Sequence, residues 1–273
     1  MSTYNESAKP KVTSALLRRM KANGEKIACI TSYDYTTASI VDAAGIDLIL
    51  VGDSAANVMM GYDTTLPITL DDMITFAKGT ARGAKRAMVI VDLPFGYYQG
   101  DPETALRSAV RIMKETGAEG VKLEGGSEIR ESIERILAAG IPVCGHLGLT
   151  PQSINKFGGY GVRAKEQAEA DKLLADARML DEMGCFAIVL EKIPSHLAAK
   201  VTAEVGAPVI GIGAGHQVDG QILVVQDMLG MNRGFSPKFV RKYGTLGDIM
   251  EQALGQYVAD VKAVDFPSEA EQY

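Results

Sequence analysis

The chain has no apolar run near the roughly 20 residues that a membrane-spanning helix needs. Its longest runs, near 48–51 and 187–190, are far shorter. Residues 1–11 are polar, contain Pro10 and lack the apolar stretch of a signal peptide. These absences predict a protein without a membrane partner and with a cytoplasmic location.

Positive charge is also scarce. The sequence has 28 Lys and Arg against 34 Asp and Glu, for a net charge of -6 and a pI near 5.2. Nucleic acids and anionic membranes are bound by clustered cations, so neither is expected as a partner. A small-molecule site is the remaining expectation.

Cysteine is rare and widely spaced. Cys29, Cys144 and Cys185 each lie inside an apolar run and form no CxxC pattern. Buried free cysteine mostly behaves as a small hydrophobic residue, so all three are interpreted as reduced core residues.

Short β-branched runs alternate with longer amphipathic stretches, as in repeated strand-helix units around a parallel sheet. Eight strands are predicted, at 27–31, 48–52, 87–91, 120–123, 142–145, 186–190, 209–212 and 222–225. Eight parallel strands can close a (β/α)8 TIM barrel, and the 273 residues suit one such domain. An open doubly wound sheet is the alternative, but no GxGxxG follows the first strand.

Apolar residues at three- and four-residue spacing predict the intervening helices. These are 37–44, 70–83, 102–116, 128–139, 166–183 and 195–205. An extra N-terminal helix at 12–22 could plug the barrel floor, and 237–263 supplies further helix. Residues 213–221 are too few for a full helix, and 1–11 and 264–273 are expected to be loose termini of the single domain 1–273.

Five successive predicted strands finish on an ionisable side chain. The active site of a parallel barrel lies at the carboxyl ends of its strands. Side chains alternate along a strand, so each of these residues can share the inward face of its strand. They are Asp53, Asp92, Glu124, His146 and Glu191.

Three of these residues predict a metal site. Carboxylates of Asp53, Asp92 and Glu124 on neighbouring strands repel one another, and Lys122 supplies only one positive charge. A hard divalent cation relieves the repulsion, and Mg2+ suits oxygen ligands better than zinc does. For any one carboxylate, helix capping or pairing with Lys or Arg is the structural alternative.

Glu191 follows an apolar run, which suits a general base, although a solvated carboxylate at the rim is the alternative. His146 is interpreted equally as a site residue or a structural one. The glycine-rich residues 157–161 lie in a long loop of the kind that covers active sites.

These strand ends and their flanking residues resemble the ketopantoate hydroxymethyltransferase family over nearly the whole chain. The run 144–153 is the most specific of the matching segments. The others include Thr31-Ser32-Tyr33-Asp34-Tyr35, Val51-Gly52-Asp53-Ser54, Thr64-Thr65-Leu66-Pro67, Asp92-Leu93-Pro94-Phe95, Val121-Lys122-Leu123-Glu124-Gly125-Gly126 and Ile210-Gly211-Ile212-Gly213-Ala214-Gly215.

The resemblance implies a barrel of the phosphoenolpyruvate/pyruvate-domain type and a role for each matching residue. Asp53, Asp92 and Glu124 take the family's Mg2+ positions. Ser54 and Lys122, with the two aspartates, take its substrate positions, and Glu191 takes that of the proton acceptor. His146 is a further possible substrate contact.

The implied reaction transfers a hydroxymethyl group from 5,10-methylenetetrahydrofolate to 3-methyl-2-oxobutanoate, giving 2-dehydropantoate in pantothenate biosynthesis. The cofactors are one Mg2+ per subunit and the tetrahydrofolate derivative as co-substrate. The family's assembly implies a homo-oligomer, a decamer of two rings.

Two other functions compete with this interpretation. One is a Mg2+-dependent 2-oxo-acid lyase or mutase of the isocitrate-lyase type, but the Lys-Lys-Cys-Gly-His loop of such lyases is absent, since Pro142-Val143 precede Cys144. The other is a non-catalytic ligand-binding barrel, which predicts broken metal residues, whereas all three carboxylates are present.

Overall fold

The computed structural model describes residues 10–234 and 236–273. Eight parallel strands close into a barrel in chain order, which confirms the TIM barrel and excludes the open sheet. The strands are β1 Ile27–Thr31, β2 Leu48–Val51, β3 Met88–Asp92, β4 Val121–Glu124, β5 Val143–Gly148, β6 Ala187–Glu191, β7 Val209–Ile212 and β8 Gly220–Leu223.

The helices follow the strands along most of the chain. They are α1 Ser14–Ala22, α2 Tyr35–Ala43, α3 Ala55–Val58, α4 Leu70–Gly83, α5 Pro102–Thr116, α6 Arg130–Ala138, α7 Ile154–Phe157, α8 Gln167–Glu182, α9 Ser195–Glu204, α10 Val225–Met228 and α11 Leu246–Ala263. Short 3-10 turns lie at Ser127–Ile129, Pro151–Ser153 and Glu269–Glu271.

Polar side chains define where several helices begin. The Asp34 carboxylate accepts a hydrogen bond from the Thr37 backbone N–H at 2.8 Å, so α2 starts two residues before the predicted position. Thr69 and Asp72 form a reciprocal capping box at α4, and Asp101 caps α5 before Pro102. The predicted bounds of α4 and α5 are confirmed.

The N-terminal helix covers one end of the barrel. Leu17 and Met20 of α1 pack into the buried cluster of strand side chains that includes Ile27 and Met88. Lys21 Nζ donates to the carbonyl oxygens of Thr202, in α9, and of Ala207, just before β7, both at 3.0 Å. The helix therefore closes the amino-terminal floor of the barrel, as predicted, and leaves the opposite end for a site.

Two predicted elements near the end of the chain are wrong in their bounds. The eighth strand begins at Gly220, and Val225 starts α10. A side chain at position 220 would collide with Ile27 of β1. Glycine has no side chain, so it permits the close approach of β8 to β1 at this position. The helix predicted for 237–263 begins only at Leu246, because Pro237 and Gly244 precede it and disfavour helix.

The chain divides after Leu223 into two compact units. The first contains the barrel. In the second, Tyr243 N–H donates to the Met228 carbonyl at 2.7 Å, and Phe266 packs edge-on to Tyr257 at 5.6 Å between ring centroids. The single-domain assignment stays a prediction. Of the termini expected to be loose, residues 1–9 lie outside the described part, and the last residues carry a 3-10 turn capped by Ser268.

Across residues 10–234 and 236–273, the helices are too short or too polar to cross a bilayer.

Candidate active site

Strand pairing brings the predicted site residues together at the carboxyl end of the barrel. Asp92 lies opposite Lys122 in the register of β3 and β4, and Glu124 lies opposite His146 in that of β4 and β5. All four side chains, and that of Asp53 after β2, are buried. The inward orientation expected from period-two alternation therefore holds for them.

A buried ion pair between Lys122 and Asp92 lies within the site. Lys122 Nζ lies 2.8 Å from Asp92 Oδ1, with each side chain at most 4 % exposed. The other oxygen of Asp92, Oδ2, accepts the Asp53 backbone N–H at 3.0 Å. The two aspartates are thus held next to each other, although both are acidic and buried.

Glu124 is held from a different direction. Its Oε2 accepts the Gln152 backbone N–H at 2.9 Å, from the turn that follows β5. Its Oε1 is buried and accepts no hydrogen bond within the described part of the chain; His146 Nδ1 is 3.3 Å away. One oxygen of Glu124 is therefore left for a ligand.

His146 connects this group to Glu191. Lys122 Nζ lies 3.2 Å from His146 Nδ1, and an ammonium can only donate, so Nδ1 accepts. The ring proton then resides on Nε2, which lies 3.4 Å from Glu191 Oε2. Asp92, Lys122, His146 and Glu191 thereby form one continuous row of contacts.

Burial and the neighbouring charges shift the pKa values of the buried site residues. Burial raises the pKa of Asp53 and of Asp92 to about 6, and that of Glu124 to about 7. Burial alone would lower the pKa of Lys122, but the charges of Asp92 and Glu124 outweigh it and hold that pKa above its usual value. Burial and then Lys122 lower the pKa of His146, which keeps the imidazole neutral.

Ser54 lies at the rim of this cluster, at the start of α3. Its Oγ is 2.8 Å from the hydroxyl of Tyr33, a buried residue after β1. The serine predicted to contact substrate is thus oriented by a phenol that sequence reasoning assigned no role.

The glycine-rich loop is anchored beside Glu191. Lys192 Nζ donates to the Tyr160 carbonyl oxygen, and the Arg163 backbone N–H donates to the Lys192 carbonyl at 2.8 Å. Burial raises the pKa of Tyr160, and the negative charges of Asp53 and Glu191 add to the rise. The loop is therefore fixed next to Glu191, and its covering role stays a prediction.

The three carboxylates suit a divalent cation by their chemistry more than by their arrangement. Within the described ranges, no three His, Cys, Asp or Glu side chains are grouped so that they could hold one ion together. Asp53, Asp92 and Glu124 are therefore close but not preassembled as a three-ligand cage. Their chemistry still fits Mg2+, because that ion needs only one or two carboxylates and fills its other positions with water or substrate oxygens.

Besides Tyr33, sequence reasoning missed two further residues of the site. Gln152 bridges Asp53 and Glu124, and the hydroxyl of Tyr98 contacts both Gln152 and the Glu124 backbone. Gln152 lies in the motif 144–153 but had no assigned role, and a tyrosine in the loop after β3 carries no local signal. Their contacts join residues far apart in the sequence.

The sequence is similar to one family model and to several named relatives of that family. Residues 11–269 match the family model described as ketopantoate hydroxymethyltransferase. Relatives named 3-methyl-2-oxobutanoate hydroxymethyltransferase align along their full length and that of this chain. That of Flavobacterium johnsoniae is 63% identical, and those of Porphyromonas gingivalis and Bacteroides fragilis are each 62% identical.

Solved structures show the same fold at low identity. A putative phosphonomutase from Burkholderia cenocepacia has a TM-score of 0.60 at 18% identity, covering 92% of this chain and 97% of its own. A phosphonopyruvate hydrolase, solved with oxalate and Mg++, also has a TM-score of 0.60 at 12% identity, covering 95% and 93%. A 2,3-dimethylmalate lyase of the PEP mutase/isocitrate lyase superfamily has a TM-score of 0.57 at 18% identity, covering 95% and 91%.

Proposed function

The chain belongs to the ketopantoate hydroxymethyltransferase family, and we propose that it transfers a hydroxymethyl group from 5,10-methylenetetrahydrofolate to 3-methyl-2-oxobutanoate through the substrate's enolate. The observation that carries this mechanism is the row of contacts from Asp92 through Lys122 and His146 to Glu191. The row joins an anion-binding lysine to a carboxylate able to accept a proton.

Glu191 acts as the base. Its side chain is 15% exposed, so it borders the buried cluster and still reaches solvent. It removes the proton from C3 of the 2-oxo acid. His146, protonated on Nε2, lies beside the receiving carboxylate, with Nε2 3.4 Å from Glu191 Oε2.

Lys122 and Ser54 bind the substrate in this proposal. The Lys122 ammonium is the positive charge inside the cluster, and it stabilises negative charge on the 2-oxo-acid oxygens as C3 loses its proton. The Ser54 hydroxyl, oriented by Tyr33, is placed to donate a hydrogen bond to a substrate oxygen.

Asp53, Asp92 and Glu124 would hold Mg2+. A bound ion supplies further positive charge to the developing enolate and orients the 2-oxo acid. Three buried carboxylates with raised pKa values and a single lysine support this assignment, since a divalent cation relieves their mutual repulsion.

The product follows from simple atom balance. C3 of the enolate forms a bond to the one-carbon unit carried by the folate, the carbon–nitrogen bonds to the folate break, and one water supplies the hydroxyl oxygen. The products are 2-dehydropantoate and tetrahydrofolate.

The rival activities are less well supported. The lyases and mutases that share the fold are 12–18% identical to this chain, which carries fold alone, whereas the named hydroxymethyltransferases reach 60–63% over the full length. A non-catalytic barrel would have no use for a base held beside a lysine and three carboxylates.

We also propose a cytoplasmic homo-oligomer, a decamer, as the resemblance implies. Helix α11 has no buried residue in the single chain, and it exposes 61% of Leu254 and 58% of Ile249. Such apolar exposure supports burial against another copy. Light scattering on the purified protein gives the mass to compare with that of the 29.1 kDa chain.

An NMR assay in D2O tests the mechanism. The C3 proton signal of 3-methyl-2-oxobutanoate is followed with Mg2+, with EDTA, and with tetrahydrofolate plus formaldehyde. We expect Mg2+-dependent loss of the signal and a hydroxymethylated product when the one-carbon donor is present. Folded protein that gives neither exchange nor product refutes the proposal.

A further inference from the structure

We propose that Gln152 is a positioning residue that holds Asp53 and Glu124 in the orientation from which they bind the divalent cation. The inference rests on the proposed function, because it concerns the same carboxylates. It assigns a role to a side chain that removes no proton and contacts the carboxylates rather than the reacting atoms.

Gln152 is a buried polar residue whose side-chain amide and backbone N–H are both hydrogen-bonded. It is 5% exposed and lies in the 3-10 turn Pro151–Ser153, directly after β5. Buried amides are costly unless they are hydrogen-bonded, so its partners determine where it can sit.

Its side-chain amide has one possible orientation. The Leu93 carbonyl oxygen, 3.0 Å away, can only accept, so the nitrogen Nε2 faces it. Nε2 also donates to Asp53 Oδ2 at 3.0 Å. On the other side, Oε1 accepts from the Tyr98 hydroxyl at 2.7 Å and from Gln99 Nε2 at 3.0 Å.

One residue thus restrains two carboxylates that come from non-adjacent strands. The side chain holds Oδ2 of Asp53 after β2, and the backbone N–H holds Oε2 of Glu124 at the end of β4. Gln152 contacts each carboxylate through one oxygen. Oε1 of Glu124 and Oδ1 of Asp53 are the oxygens that Gln152 leaves for another partner.

Tyr98 also holds Gln152 and Glu124 in place. Its hydroxyl accepts the Glu124 backbone N–H at 3.1 Å and donates to Gln152 Oε1, while its ring is 1% exposed. The Gln152 side-chain amide and the Glu124 backbone N–H are therefore both held by the Tyr98 hydroxyl. Residues that orient ligands in this way typically change metal affinity by about 10- to 100-fold when they are lost.

The test compares Gln152→Met with the wild-type protein. Methionine keeps the length of the side chain and leaves the backbone N–H on Glu124, but it cannot donate to Asp53. Gln167→Met is the matched control, since this glutamine is exposed on α8 and its side chain donates to Asp171. Mn2+ binding without substrate is measured by the EPR signal of the free ion, together with thermal unfolding.

We expect Gln152→Met to weaken Mn2+ binding at least about tenfold while the protein stays folded, and Gln167→Met to leave it unchanged. Saturating metal should then restore most of the C3 proton exchange, which a general structural defect would not allow. Should Gln152→Met not fold, Tyr98→Phe decides, with weaker Mn2+ binding again expected.

Wild-type affinity in a folded Gln152→Met protein overturns this inference alone. If Gln152→Met does not fold, wild-type affinity in Tyr98→Phe overturns it instead. Wild-type protein that binds no Mn2+ and exchanges the C3 proton equally in EDTA overturns the metal site of the proposed function, and this inference with it.

Discussion

Gly148 lies directly against the backbone carbonyl oxygen of Glu191, its register partner on the next strand. A Cβ built on Gly148 would overlap that oxygen and stand 2.7 Å from Ile193 Cγ2. Gly148 also has a φ of 92°, in the left-handed region that favours glycine. The position of Glu191, the proposed base, therefore depends on residue 148 of the neighbouring strand being a glycine.

Gly148→Ala is expected to reduce C3 proton exchange at least about tenfold, since a displacement of about 1 Å in a catalytic group can cost 100-fold. Gly96→Ala is the control, because Gly96 has a φ of 90° but open space around its Cβ position. It carries the same backbone strain without the collision. Equal exchange rates in the two variants, measured by NMR, would show that contact with Glu191 is unimportant.

Glu191→Gln is expected to lower C3 proton exchange by about 100-fold or more, because general-base catalysis contributes roughly that factor and an amide cannot accept the proton. Mn2+ binding should persist, since Glu191 is not among the three proposed ligands. The NMR exchange assay and the EPR titration measure the two effects. Full exchange in this variant would remove Glu191 from its role.

Lys122→Met separates substrate binding from metal binding. Lys122 is paired with buried Asp92, and in the proposed function it also binds the oxygens of the 2-oxo acid. Its loss should therefore raise the KM for 3-methyl-2-oxobutanoate at least about tenfold, which corresponds to about 1.4 kcal/mol of binding free energy. Mn2+ affinity should be retained or increased, because the carboxylates lose a competing positive charge. A large loss of Mn2+ affinity with unchanged KM would reverse the two assignments.

Asp42 predicts a pH-dependent contribution to stability outside the site. Its carboxylate accepts the backbone N–H groups of Lys85, Arg86 and Ala87 at 2.6–3.1 Å. Burial alone would raise its pKa, but these hydrogen bonds outweigh burial and hold the pKa below 3.8. A carboxyl with a lowered folded pKa stabilises the protein above its unfolded pKa, and the effect disappears as the pH falls through the folded value.

Asp42→Asn should therefore lower the free energy of unfolding at pH 7 by about 1 kcal/mol or more, since several hydrogen bonds to a charged acceptor are weakened. The difference from wild type should shrink as the pH falls from about 4 toward 3, near the unfolded pKa of an aspartate. Urea unfolding across this range measures it. Asp171→Asn on the surface of α8 is the control, and a difference that stays constant with pH would contradict the expectation.

Local sequence determined much of the fold. The apolar strand runs and the three- and four-residue apolar spacing of the helices are local features, so eight strands and the bounds of α4, α5, β1 and β7 could be predicted without tertiary information. The same periodicity placed Asp53, Asp92, Lys122, Glu124 and Glu191 at one end of the barrel. The start of β8 could not be predicted, because it depends on how closely Gly220 approaches Ile27.

The sequence by itself determined which side chains reach the carboxyl end of the barrel, because strand alternation is set residue by residue. Only the tertiary structure decided which of them touch. The hydrogen bond from Gln152 to Asp53 joins residues 99 positions apart, and the contact of His146 with Glu191 depends on the pairing of β5 with β6. Barrel closure brings such residues within hydrogen-bonding distance, and no local pattern records that distance.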